Sequence, residues 1–349
     1  MSGTGNSYKC AVWAAESMPR GSVTSLIPFE KADLKKFRPA GLTALFFPTH
    51  GFTLPWAALM FCLKMPRSSK SPVFISASRA GWFLGPWGLP GMEGTACLIA
   101  ALILFFKGWD TRGFWGIDMP SNWLDVHPGM NEAHAQYFFD RAKPRIQGFI
   151  SGLSAGKRIY RSFICWLLGI LLLQISFMYL IFARLMLAKI KFADERCNSC
   201  GICSDYCPFG AIKMLGPEGK KRPYWKFNCE SCERCMAYCP QKAIQAAHSY
   251  VFMLYWLIYG VLGFIPLYFT AKFEILNSVI PGTALGITWA LLFFFTGQWL
   301  LHFITRSKAG AVLFSHTTFT RLFKRYRQKD ASLKKLIHAG VITGRGFAK

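Results

Sequence analysis

Cys197-Asn-Ser-Cys200-Gly-Ile-Cys203-Ser-Asp-Tyr-Cys207-Pro208 is followed 32 residues later by Cys229-Glu-Ser-Cys232-Glu-Arg-Cys235-Met-Ala-Tyr-Cys239-Pro240. The correspondence runs past the cysteines: Tyr206 matches Tyr238, Ala211 matches Ala243 and Ile212 matches Ile244. An internal repeat of this kind describes two copies of one small unit. Three thiolates at i, i+3 and i+6 on a tightly turning loop reach three irons of one cubane, and a fourth, just before proline, is carried away to the other cluster. The spacing therefore predicts one [4Fe–4S] cluster on Cys197, Cys200, Cys203 and Cys239, and a second on Cys229, Cys232, Cys235 and Cys207. Backbone N–H groups beside the small residues can donate to the cluster sulfurs. A zinc site takes four ligands, commonly two Cys-x-x-Cys pairs, and explains neither the third cysteine of each run nor the Cys-Pro ends.

At all eight cysteines the runs resemble the bacterial two-cluster ferredoxins. The other four cysteines (Cys10, Cys62, Cys97, Cys165) stand singly, as small buried apolar residues do. With no cleavable signal sequence in view, this usage points to a reducing compartment.

Hydrophobic residues make up 52% of the 349, aromatics 16%, and mean hydropathy is +0.27. Three 21-residue windows carry no formal charge: Phe163–Ala183, Tyr250–Thr270 and Ala284–Ile304. Each is long enough for ~30 Å of hydrocarbon. The second and third, joined by 272–283, read as a transmembrane helical hairpin. Around the first, Lys143, Arg145, Lys157, Arg158 and Arg161 precede and Arg184, Lys189 and Lys191 follow. Basic residues on both sides place that segment in the membrane interface or re-entering it, with the cysteine module and the tail together on the cytoplasmic side of the inner membrane. The formal charge is +24, and residues 305–349 hold eleven Lys or Arg against Asp330 alone. Basic residues that flank apolar runs suit anionic lipid, so membrane lipid is the expected partner and nucleic acid is not. Residues 311–327, which alternate apolar and basic side chains, suit a surface-lying amphipathic helix. His248 and His302 fall at one end of the hairpin as interface histidines, with haem ligation the alternative.

The amino terminus reads Met1-Ser2-Gly3-Thr4-Gly5-Asn6-Ser7 before a helical pattern through Ala11, Val12, Ala14 and Ala15. Such a loop at a helix start can present N–H groups and hydroxyls to a phosphate, and it also makes an ordinary cap. Strands are expected at 42–47, 73–77 and near 113–118, with a helix at 95–106, an alternating β/α order.

That order resembles the flavodoxin fold, and the loop resembles its flavin-phosphate loop. The whole chain resembles the flavodoxin–ferredoxin fusion proteins. The resemblance implies that Ser2, Thr4, Gly5, Asn6 and Ser7 meet an FMN phosphate and that loops 48–55 and 78–94 flank its ring. One departure stands out: flavodoxins begin with a strand before this loop, and here the loop starts at residue 2.

The expectation is thus a multi-domain chain. Its parts are an α/β flavodoxin-like region lacking its first strand (1–155), a membrane-associated apolar segment (156–190), an α+β two-cluster ferredoxin fold (191–247), a transmembrane hairpin (248–305) and a basic tail (306–349). Its expected work is single-electron transfer through two [4Fe–4S] clusters to or from FMN, with an unidentified redox protein or small molecule as partner and a possible oxidoreductase activity on an unread substrate. The alternative is an anchor and relay subunit of a larger redox complex with a non-flavin amino-terminal domain.

Overall fold

A computed structural model describes residues 1–39, 41–261, 263–272 and 282–346. The chain divides into two compact units: Met1–Arg184 with Cys232–Tyr238 and Lys324–Lys349, and Leu185–Ser231 with Cys239–Phe323.

The first unit runs α1 (Asn6–Glu16), β1 (Val23–Leu26), β2 (Thr43–Pro48), α2 (Trp56–Lys64), β3 (Pro72–Leu84), β4 (Trp87–Leu89), α3 (Ala96–Phe106), β5 (Asp110–Pro120), α4 (Glu132–Ser154), β6 (Ile159–Tyr160) and α5 (Phe163–Leu171). Its sheet has the order β2-β3-β5-β6, all parallel, with β4 antiparallel on β3. Side chains alternate across a strand, and here both faces are covered. Leu45, Phe47, Val73, Ile75 and Ala77 pack with Ala58, Cys62, Ala100 and Leu104 of α2 and α3. Phe46 and Phe74 turn the other way, onto Cys10, Trp13, Ala142 and Ile146 of α1 and α4. Near-continuous apolar strands are what a sheet buried on both sides requires. β2 ends the sheet, and β1 pairs antiparallel with Gly340–Thr343.

The second unit holds β7 (Lys191–Ala193), β8 (Ile212–Leu215), β9 (Arg222–Trp225) and β10 (Ile244–Ala246). β8 pairs antiparallel with β9, and β7 with β10. The repeat-mates Ile212 and Ile244 each start a strand five residues after a Cys-Pro cysteine. Phe192, Ala247, Tyr250, Leu254, Ile258, Leu301 and Phe314 form a core in this unit.

The expected transmembrane hairpin is not found: among the described residues no single helix is long and apolar enough to cross a membrane. One face of this stretch packs on protein, while Phe252, Trp256, Leu292, Trp299 and Phe303 stay exposed. In Gly282–Arg306, Leu301 is in the core, Gln298 Nε2 donates to Trp225 O at 2.9 Å, and Gly297 O accepts from Tyr250 Oη at 2.5 Å. The preceding leg changes from α-helix His248–Tyr255 to π-helical turns at Trp256–Val261. Most of the linker 272–283 lies outside the described residues. Segment 163–183 is two helices, Phe163–Leu171 and Leu173–Lys189, bent by 71°. At 1.5 Å per residue they reach about 14 and 26 Å, each short of ~30 Å.

Two further expectations change. Lys189 and Lys191, read as membrane-flanking charges, are buried in the second unit at 1% and 3% exposure. Residues 311–327 do not form one amphipathic helix: the helix Lys308–His316 stops where Thr317 and Thr318 turn their hydroxyls to backbone carbonyls of Leu313 and Ala246. Residues 324–331 then run without helix, and Tyr326 and Ala331 enter the first unit's interior.

Candidate iron–sulfur site

Each cysteine run is shaped by backbone that ordinary residues avoid. Ser199 and Ser231 lie at φ +61° and +46°, Gly201 and Glu233 at +76° and +61°, and Gly210 and Lys242 at +55° and +51°. These are the same three repeat positions, 32 residues apart. Left-handed residues in a turn curl the loop so that successive N–H groups can face inward, as in an anion-holding nest. Glu233 takes this conformation without glycine's freedom, a cost tolerated where surrounding structure enforces it. This backbone repeat was not read from the sequence, because only Gly201 and Gly210 advertise it.

The first loop is tied down from outside. Arg222 donates to Asp194 O and Cys197 O at 3.0 and 2.9 Å, Ser199 Oγ to Lys221 O at 2.7 Å, and Ser204 Oγ to Ile212 O at 3.0 Å. With the loop so held, Cys197, Cys200, Cys203 and Cys239 come together. Burial pushes the Cys203 thiol up to about 12, and the negative charges of Cys197, Cys239 and Cys200 add to the effect. A thiol that feels the other three lies in their midst. Four thiolates here repel one another, and positive iron relieves that repulsion while taking the thiolate form. The donor set therefore fits a cubane. Among the described residues no three His, Cys, Asp or Glu side chains close on a single ion-sized point.

The fourth cysteine of each run receives the same bond. Ala211 N–H donates to Cys207 Sγ and Ala243 N–H to Cys239 Sγ, both at 3.3 Å. Ser231 N–H donates to Cys229 Sγ at 3.4 Å. Such donors stabilise charge on sulfur and raise the potential of a cluster held there. The second run is divided between the units, with Cys229 and Cys239 in the second and Cys232 and Cys235 in the first. Lys189 stands near Cys229: its Nζ donates to Trp225 O at 3.0 Å and lies 3.7 Å from the Phe227 ring centroid. Burial lowers its pKa to about 8, and the Cys229 charge pulls the other way. Cys10, Cys62 and Cys97 are core thiols raised by burial, the first two to about 12, and Cys165 is half-buried beside Arg79.

The amino-terminal loop is built otherwise. Gly3, Thr4, Gly5, Asn6 and Ser7 are buried and Ser2 is half-buried. Thr4 Oγ1 accepts from Asn122, Asn6 donates to Pro120 O at 2.8 Å and accepts from Tyr326 Oη at 2.7 Å, and Ser7 shares a 2.7 Å bond with Ser78. Arg234 donates to Ser2 O and Gly3 O at 2.6 and 3.4 Å. A Cβ on Gly3 would meet Cys232 O at 1.8 Å, and one on Gly5 would meet Gln328 Cβ at 2.6 Å. The side chains expected at a flavin phosphate are thus spent on the chain's own groups, and the space over them is filled. The loop does not fit FMN. In the expected ring-flanking loop, His50 packs edge-on against Tyr179 at 6.0 Å. His248 bonds Thr318 at 3.1 Å, and His302 packs on Tyr224 at 5.3 Å.

Curled loops, clustered thiols and N–H···S bonds define an iron–sulfur module of the ferredoxin kind. Residues 196–243 match the family described as the 4Fe-4S dicluster domain, so the chain carries a ferredoxin-like iron–sulfur module suited to electron transfer. No curated protein and no solved structure matches the chain. The match does not reach the amino-terminal unit, and the likeness to flavodoxin–ferredoxin fusions narrows to its ferredoxin part.

Proposed function

We propose that this protein is a one-electron relay seated on a membrane surface, with Cys197, Cys200, Cys203 and Cys239 holding one [4Fe–4S] cluster and Cys229, Cys232, Cys235 and Cys207 the other. The observation that carries it is the match of residues 196–243, which hold all eight cysteines, to the 4Fe-4S dicluster domain, with the same three left-handed backbone positions in each cysteine run. When bound, each cluster takes up and returns one electron without making or breaking bonds in a substrate. The protein's part is electrostatic. N–H donors from Ala211, Ala243 and Ser231 and the cation of Lys189 favour added negative charge on the sulfurs. Its partners are a donor and an acceptor, redox protein or small molecule, meeting it at the cytoplasmic face of the inner membrane. Because the amino-terminal loop is filled, this is the relay-subunit reading rather than the flavoenzyme one.

Membrane seating is supported by the bent pair 163–178. Phe163, Ile164, Leu171 and Phe177 are 63%, 72%, 69% and 61% exposed. A patch of this kind, with Arg158 and Arg161 beside it, suits the headgroup boundary of anionic lipid. The test is anaerobic purification in mild detergent, cofactor extraction and flotation on vesicles containing anionic phospholipid. Eight irons per chain, no flavin, and flotation lost in Ile164→Glu/Leu171→Glu are expected. Four irons or fewer, or one FMN per chain, overturns the relay, and unchanged flotation of the double variant overturns the seating.

A further inference from the structure

The first cysteine loop and the β8–β9 hairpin are tied together within the second unit. Leu215 pairs with Arg222, so residues 216–221 form the tip of the hairpin. Lys220 N–H donates to Pro217 O at 3.1 Å, closing a turn whose third residue, Gly219, takes the positive φ (+72°) that such a turn requires. Ser199 Oγ donates to Gly219 O at 3.3 Å and to Lys221 O at 2.7 Å. The tip is thereby pinned to the residue before Cys200. Arg222, the first residue of β9, holds the same loop through Cys197 O at 2.9 Å.

Three properties meet at this point. Cys200 is the exposed thiol of the eight ligand cysteines, the other seven being buried or half-buried. Electron transfer falls steeply with distance, so an outside carrier comes nearest to the first cluster here. The surface around it is cationic: between residues 196 and 226 the exposed bases are Lys213, Lys220, Lys221 and Lys226, against exposed Asp205 and Glu218. Neither Lys220 nor Lys221 enters an ion pair among the described residues.

The third property is polarity. No large hydrophobic side chain is exposed between residues 196 and 221. A surface that enters a lipid headgroup boundary carries apolar side chains among its cations, as 163–178 does. A polar cationic surface suits a brief, wet encounter steered by opposite charge, the kind that electron carriers make.

We propose that the hairpin tip at Lys220 and Lys221, with exposed Cys200 beside it, is the docking surface for a small acidic one-electron carrier protein. Carboxylates of the carrier meet the two ammonium groups, and its redox centre comes to rest over Cys200. When the carrier donates, it is oxidised by one electron and this chain is reduced by one, and no bond or proton changes hands. The docking rests on the relay reading above and adds the class of protein that exchanges the electron and the cluster at which it does so.

The test mixes the anaerobically purified full chain with plant-type [2Fe–2S] ferredoxin, an acidic one-electron carrier, in whichever direction runs downhill, and follows the transfer by stopped flow. At about 0.05 M salt, Lys220→Glu/Lys221→Glu should slow the second-order rate roughly tenfold or more, with Lys220→Gln/Lys221→Gln in between. The parent should approach the variant at about 1 M salt, where charges are screened within ~3 Å. Lys226→Glu, roughly 17 Å along β9 from Lys221, should change the rate less than about twofold. Photoreduced 5-deazariboflavin, a neutral reductant, should reduce the parent and Lys220→Glu/Lys221→Glu equally fast, and both should keep eight irons. With eight irons present, an unchanged rate in that double variant overturns the docking and leaves the relay standing. So does an equal loss in Lys226→Glu, an equal slowing with the neutral reductant, or a loss of flotation on anionic vesicles without a change in rate, which would assign the tip to lipid. Fewer than eight irons in the parent overturns the relay itself and the docking with it.

Discussion

The cysteine repeat and the amino-terminal loop are both runs of small residues in tight turns, and both invite a cofactor. In the repeat, Cys203 lies in the field of Cys197, Cys200 and Cys239. In the loop, the hydroxyl of Thr4, both ends of the Asn6 amide and the hydroxyl of Ser7 are satisfied by Asn122, Pro120, Tyr326 and Ser78. The difference lies in what the side chains can do. Thiolate clusters are unfavourable until a metal arrives. Serine, threonine and asparagine bond equally well to a phosphate or to the protein's own backbone and side chains.

The largest effects should break or confirm the repeat. Cys203→Ser and Cys239→Ser, though 36 residues apart, are expected to lose the same four irons and give the same residual electron paramagnetic resonance signal. Cys207→Ser and Cys229→Ser should share the complementary signal. If Cys203→Ser and Cys207→Ser behave alike instead, the exchange of the fourth ligand is wrong.

A middle-sized effect belongs to the loop. Asn6→Ala strands the Pro120 carbonyl and the buried Tyr326 hydroxyl, at a cost of roughly 2–4 kcal/mol in denaturant unfolding. Iron content should stay at its starting value. A stable Asn6→Ala chain would show that the loop is not structural filling.

The smallest effect is a pH slope. Burial holds His50 down at about 4 from an ordinary 6.5, so the folded chain refuses a proton that the unfolded chain accepts. Stability from this group is intact above about pH 6.5 and is lost as pH falls toward 4. Between pH 7.5 and 5.5 the loss is about 1 kcal/mol. It should be read as the difference in urea midpoint shift between the parent and His50→Gln. Equal shifts would mean that the ring is solvated.

Legibility followed the same division. The strands at 43–48 and 110–120, the first half of Pro72–Leu84 and the helix at 96–106 were readable because apolar runs bounded by glycine and proline declare themselves locally. Residues 78–84 and Trp87–Leu89, expected as loop, are strand. The ligand cysteines were readable because their spacing repeats. The apolar windows misled for a physical reason: composition cannot tell a helix that covers lipid from one that covers protein. In Gly282–Arg306, Gln298 reaching Trp225 and Leu301 in the core show that one face covers protein, a contact that composition does not reveal. Lys189 and Lys191 misled similarly, since a cation beside apolar sequence reads as a membrane flank until its burial is seen. The loop's true partners, Tyr326 and Gln328, lie some 320 residues away and leave no local trace.

That distance has a bearing on synthesis. Asn6 waits for Tyr326, and Thr4 O waits for the Gln328 N–H. At ≈ 5–20 residues per second, the ribosome needs about 16–64 s to deliver them after the loop has been made. During that interval the nascent amino end carries polar groups with no permanent partner. A truncated product or a stalled chain would expose it, and a cellular quality-control protease would meet its starting residues before their last partners exist.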